Sequence, residues 1–217
     1  MKRFFTFIST LFLFSSILFA ETITFRADRM TGSTKKSGDV TTLTGNAVIK
    51  TEDMELTADS IELSGKDFRN IKASGNISGK IISSQMDFTC EDMTYDRQTK
   101  MARLKNGVHL IDRQNDVEAD ADLIDYNQNT EVAVLQIGVS ITQKENHCTA
   151  AYALYKKNEQ TLTLTGNPQV KQNDNTFRAQ EIILNLDTQE ITLDGRVRGS
   201  VTTDEKEKNS PEAENGQ

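Results

Sequence analysis

Apolar and polar residues alternate along most of this chain, the period of two that marks strands with one buried face. Met54, Leu56 and Ala58 share one parity, whereas Ile61 and Leu63 share the other. The same slip separates Ala27 from Met30, Cys90 from Met93, Ala121 from Ile124 and Ala179 from Ile182. A parity change at a fixed place predicts a bulge or bend that turns the strand while its apolar side chains stay inside.

The slip recurs with a period. The small residue that precedes it falls at Ala27, Ala58, Cys90, Ala121, Ala150 and Ala179, at intervals of 31, 32, 31, 29 and 29. A second marker is LTGNAVI at 43–49, echoed by ASGNISG, LKNGVHL, LQIGVSI, LTGNPQV and LDGRVRG. These segments begin at Leu43, Ala73, Leu104, Leu135, Leu164 and Leu193, at intervals of 30, 31, 31, 29 and 29. Two markers with one period predict a repeat-built array.

Polar clusters punctuate each unit twice. YDRQTKMARL (95–104), YNQNTEVAVL (126–135), YKKNEQTLTL (155–164) and LNLDTQEITL (184–193) carry the Asp, Asn and Thr that tight turns favour. A second set lies at 50–53, 112–115, 144–146 and 172–175. Two turns per unit predict an all-β antiparallel meander of about a dozen strands, each of about ten residues. The returning strands carry Gly45, Gly75, Gly107, Gly138, Gly166 and Gly195 level with the slip, so the sheet is expected to fold over there around an apolar interior. Ala58-Asp59, Ala119-Asp120 and Ala121-Asp122 read as structural: Ala fits the crowded fold, and Asp can accept N–H groups that a bulge frees.

Composition agrees with a thin core. Aromatic residues make up 6% of the chain, Trp is absent, and only Pro168 and Pro211 could interrupt a strand. The net charge of −7 argues against a nucleic-acid partner, which would need a basic surface. Residues 1–20 read as a signal peptide: Met1-Lys2-Arg3, an apolar run from Phe4 to Phe19, then Ala20 before Glu21. Leu18 is large for the site before cleavage, so retention of this segment as a membrane anchor is the alternative. Both put residues 21–202, one β domain, outside the cytoplasm, and a bacterial periplasm is the expected location. The charge-rich residues 203–217 read as a disordered tail.

Two cysteines in an exported chain suggest a disulfide. Here Cys90 and Cys148 lie two periods apart, more than one strand spacing, so two separate thiols are expected. His109 and His147 have no metal-ligand spacing, and no nucleophile, metalloprotease, phosphate-loop or dinucleotide motif occurs. No catalytic residue, metal or cofactor is indicated, and the chain reads as a non-enzyme. An interior lined by Ile, Leu, Val, Met and Phe has two readings: a trough for an acyl chain, or a core filled by its own side chains.

The stretches LTGNAVI, TADSIEL, EADADLIDY and LTGNPQV-x₆-FRAQEIIL, behind a signal-like segment, resemble the OstA-like family over residues 22–201. The resemblance implies a semi-open jellyroll whose apolar groove carries acyl chains of lipopolysaccharide or a related envelope glycolipid. It further implies stacking through edge strands into a bridge between membranes, with an inner-membrane export complex and an outer-membrane barrel as partners. The lipid-facing residues on this reading are Leu56, Ile61, Leu63, Phe88, Met93, Leu123, Ile124, Phe177 and Ile182. Leu123 and Ile124 have opposite parity, so one of them cannot face inward. Unit two carries an extra turn residue at 64–67, and unit five has AAYALY where Ala-Asp is expected. The rivals are an inner-membrane-anchored family member, and a structural filament that binds no lipid.

Overall fold

The computed structural model describes residues 22–32 and 40–202. The expected signal peptide and charged tail lie outside the described residues. Among the described residues, sixteen strands form one sheet. They are β1 (Thr24–Arg26), β2 (Arg29–Gly32), β3 (Thr41–Lys50), β4 (Met54–Ser64), β5 (Asn70–Ile81), β6 (Met86–Asp96), β7 (Met101–Asp112) and β8 (Val117–Asn127). There follow β9 (Val132–Gln143), β10 (Asn146–Lys156), β11 (Thr161–Thr165), β12 (Gln169–Gln172), β13 (Asn175–Arg178), β14 (Glu181–Asn185), β15 (Ile191–Asp194) and β16 (Arg198–Ser200). No helix among the described residues is long and apolar enough to cross a membrane.

The expected dozen strands are present in two forms. The eight from β3 to β10 run unbroken through the bend. Four more are split by it into halves that pair with the two arms of a neighbour: β1 with β2, β11 with β12, β13 with β14, and β15 with β16. Pro168, which has no N–H to give a ladder, lies in the break between β11 and β12.

Register shifts mark the bend in every long pair, at Thr44/Ala47, Thr57/Ser60, Ser74/Ile77, Thr89/Asp92, Lys105/Val108, Asp120/Leu123 and Ala150/Tyr152. Each returning strand makes the turn with two consecutive left-handed residues, as at Gly45-Asn46 (φ 77°, 45°) and Gly75-Asn76 (φ 77°, 46°). Glycine is needed at the first of these: a Cβ on Gly45 would lie 2.5 Å from Asp28 Oδ2. Asn tolerates the left-handed conformation at either position, and its amide is put to use. Asn46, Asn76 and Asn106 donate Nδ2 hydrogens to Asp28, Asp59 and Asp92 at 2.9, 2.8 and 2.6 Å. In these three units an Asp one or two residues past the small residue clamps the bend through a side-chain amide, whereas Asp122 accepts the Gly107 N–H at 3.4 Å.

The bend keeps one face inside. Along β4, Met54, Leu56 and Ala58 are buried, then Ile61 and Leu63 are, with the parity changed between them. β6 and β8 repeat this pattern. The buried residues form one core from Leu43 to Leu186. Turns at either end of the strands are held by local bonds. Asp96 and Asp112 each accept two N–H groups of the following turn, as do Asn127 and Asn185. Successive turns also stack through backbone bonds such as Gln128 N to Lys100 O at 3.0 Å and Ile82 N to Asp53 O at 2.8 Å.

Candidate functional site

Most of the inward-facing residues expected from the sequence converge on the interior. Leu56, Ile61, Leu63, Phe88, Met93, Ile124 and Ile182 are all buried among one another's neighbours in the core. Two are not. Leu123 is half-buried, because it stands two residues past Ala121, just beyond the register shift, at the place Ser60 and Tyr152 occupy in other units. Phe177 has the inward parity but is also half-buried, because the strand beside it is β16, whose facing residue is Gly199. Ile124 is thus the inward member of its pair.

The interior is filled by its own side chains along the central strands. Among the described residues, nothing covers it at the two edges. Among the described residues, β1 and β2 pair only with β3, β15 only with β14 and β16 only with β13, so each end of the described sheet presents an edge strand. The inward row is exposed there: Phe25 and Met30 at one end, Val197 and Val201 at the other, are 39–64% exposed.

Folding over brings the two sets of turns together along a seam opposite the bend. Sequence reasoning missed the groups that close it. Lys100 Nζ lies 2.6 Å from Asp53, and Tyr126 OH donates to Ser84 Oγ at 2.9 Å. Tyr155 OH and Lys157 Nζ both donate to Asp112, each at 2.6 Å. Asn146 donates to Gln189 Oε1 at 2.6 Å, and Gln143 donates to the Leu186 carbonyl at 3.3 Å. The visible signal was the tyrosine that opens three of the four turn segments, at 95, 126 and 155, of which Tyr126 and Tyr155 reach across the seam. An aromatic body on the inner face with a hydroxyl at its tip suits an apolar layer with a polar rim.

Burial sets the chemistry of these groups. The Tyr126 hydroxyl is pushed up to about 12 by desolvation, and Tyr155 is raised further by burial and its bond to Asp112. Cys90 and Cys148 are buried and unpaired, on β6 and β10 with three strands between them. Desolvation raises their thiols to about 11 and about 12. On the outer surface, the Arg69 guanidinium holds the Asp96 carboxyl well below the usual range. His109 bonds Asp120 at 2.9 Å and His147 meets Thr142 at 3.3 Å, so both histidines serve exposed cross-strand pairs.

A family model described as OstA-like protein matches residues 20–198. No curated protein matches the chain. Among solved structures, the chain is similar to LptH from Pseudomonas aeruginosa, described as the LptA-homologous periplasmic component of the conserved lipopolysaccharide transport device. The match has 12% identity, covers 84% of this chain and 96% of that one, and has a TM-score of 0.26.

Proposed function

From the premise that the chain belongs to the OstA-like family, we propose that it is a periplasmic lipid-transport protein of the LptA kind. It carries acyl chains of lipopolysaccharide, or of a related envelope glycolipid, within the folded sheet. The supporting observation is one continuous apolar interior whose inward row is uncovered at both edge strands. Twelve strands at the usual spacing make that interior roughly 50 Å long. Leu56, Ile61, Leu63, Phe88, Met93, Ile124 and Ile182 line it, with Phe177 near its C-terminal mouth. Because these side chains now fill the space, an acyl chain enters by parting the two layers. Each ~100 Å² of chain surface it covers contributes about 2.5 kcal/mol.

Copies stack end to end through β1/β2 of one and β15/β16 of the next. An unpaired strand at each end is the physical basis for this, since head-to-tail addition propagates. The inner-membrane export complex and the outer-membrane barrel of the transport system are the proposed terminal partners.

Photocrosslinking in living cells tests the reading. A photoreactive amino acid at Ile61, Met93 and Ile182 is expected to give a lipid adduct, identified by mass. The same group at Glu62 or Thr94, off the inward row, is expected to give none. A folded, exported protein with no adduct at any inward position would leave a filled core and remove the lipid role.

A further inference from the structure

The seam is not closed evenly. Four turns at one end of the strands (51–53, 82–85, 113–116 and 144–145) bridge to turns on the other layer that lie 42–47 residues later. The first bridge is a single ion pair, Asp53–Lys100, whose side chains are 32% and 24% exposed. The second is neutral: Tyr126 to Ser84 at 2.9 Å and Gln128 to Ser83 at 3.1 Å. The third is a buried cluster. Asp112 and Lys157 are 0% and 2% exposed, Tyr155 adds a second bond to Asp112, and Asn115 Nδ2 lies 2.8 Å from Tyr155 Oη and 3.3 Å from the Lys157 carbonyl. The fourth is an amide network in which Gln189 meets Gln143 at 3.2 Å and Asn146 at 2.6 Å.

N-terminal to the first bridge, the described bonds of the turn between β4 and β5 run along its own edge, from Arg97 Nη1 to the Asp67 carbonyl at 2.8 Å and from Arg69 to Asp96. It places Phe68 against the core, and it holds Asp67 and Phe68 in left-handed conformations, φ 54° and 53°. Bulky residues adopt that region at a cost, and such strain gathers where a segment moves or binds.

We propose that acyl chains enter sideways through the N-terminal stretch of the seam, between turn 51–53 and turn 97–100 and under Phe68. The Asp112–Lys157 cluster and the amide network beyond it are a fixed clasp that does not part. This rests on the lipid-carrying reading. Entrance needs two layers to separate by about the thickness of an acyl chain. A half-buried ion pair with water on one side is screened more, and parts more readily, than a fully buried pair with three further bonds.

The test locks the seam at two places. In a Cys90→Ala, Cys148→Ala background, Glu52→Cys with Thr99→Cys, and separately Gln114→Cys with Asn158→Cys, are joined by a short bismaleimide. All four chosen turn residues are exposed and make no side-chain bond across the seam. Loading is followed with fluorophore-labelled rough lipopolysaccharide. The first link is expected to slow loading at least about tenfold, and the second to leave it within about twofold. Equal rates in both linked forms, or a block by the second link alone, overturns the entrance. Failure of the unlinked protein to load removes the lipid reading instead. Hydrogen exchange then decides the seam by itself: amides of 51–53 and 97–100 are expected to exchange faster than those of 113–116 and 157–160. Equal protection refutes the uneven seam with no lipid present.

Discussion

Gly79 and Phe88 face each other across β5 and β6, and the ring occupies the space a side chain at Gly79 would take. A Cβ there would lie 2.1 Å from the Phe88 ring, which is itself only 2% exposed and cannot swing into solvent. Gly79→Ala is therefore expected to destabilise by about 1–3 kcal/mol, the usual cost of overpacking. Adding Phe88→Leu should recover part of that loss, measured as a coupling energy by urea unfolding of the two single variants and the double. Additive losses would mean the two residues do not compete for one space. None of this was legible from the sequence, where Gly79 is one more small residue in ISGKI. The inward parity of Phe88 was legible, because alternation needs only the residue's own strand. Leu123 and Phe177 show the limit of parity: it says which way a side chain points, not whether a neighbour covers it.

The elements themselves could be read from the chain, because each repeat states the same bend twice. The parity slip marks it on one strand and the glycine marks it on the next. The structure adds a constant register between them. The residue two beyond the first left-handed position faces the small residue of the next strand, as in Ala47 with Ala58, Ile77 with Cys90, Val108 with Ala121 and Val139 with Ala150. The residue before the left-handed pair faces the one two beyond the small residue, as in Thr44 with Ser60 and Thr165 with Glu181. If a second copy continues the meander, the last strand and the first should adopt this register. Val197 then faces Ala27, Leu193 faces Met30, and Gly199 faces Phe25 as Gly79 faces Phe88. Asp194 meets Arg29, which is favourable, but Arg198 meets Arg26, which is not. Directly opposed charges contribute roughly 0.2–1 kcal/mol either way. Reversing Arg29 to Asp should weaken self-association roughly threefold to tenfold, and Arg26→Asp should tighten it by a similar factor. Sedimentation at low salt distinguishes the two. A one-residue change of register would abolish this opposite pairing of effects, so matching signs would exclude the proposed stack.

At the scale of the whole molecule, proton linkage follows from burial. The thiols of Cys90 and Cys148 rise to about 11 and about 12 in the folded chain, from an ordinary value near 9.0. The unfolded chain therefore loses these protons first. Their contribution is complete below pH 9 and is lost as pH rises through 11 and 12, with Tyr126 acting in the same sense. Urea midpoints should fall from about pH 9 upward, and less steeply in a variant carrying Cys90→Ala and Cys148→Ala. The folded protein should also resist thiol-labelling reagents at pH 8 and react on unfolding. A steep alkaline fall unchanged by removing both thiols would assign it to other groups.

The seam was the part of the molecule the sequence did not disclose, and the reason is physical. Its partners are 42–47 residues apart, on turns of different units, and no local pattern encodes that offset. Asp112 reads as one of many turn aspartates, and Lys157 as one of two adjacent lysines. In the folded chain they form a buried pair bridging the layers. Removing one partner leaves the other charge without compensation in a dry site, so Lys157→Met should destabilise by about 3–5 kcal/mol. Replacing both, Asp112→Asn with Lys157→Met, removes the stranded charge and should recover much of that loss, because a buried pair adds little beyond a well-packed neutral substitute. The two outcomes separate a clasp whose charges matter to each other from two independently useful residues. A double variant as unstable as the sum of its singles would show that Asp112 serves mainly its own turn, through the N–H groups of Gln114 and Asn115.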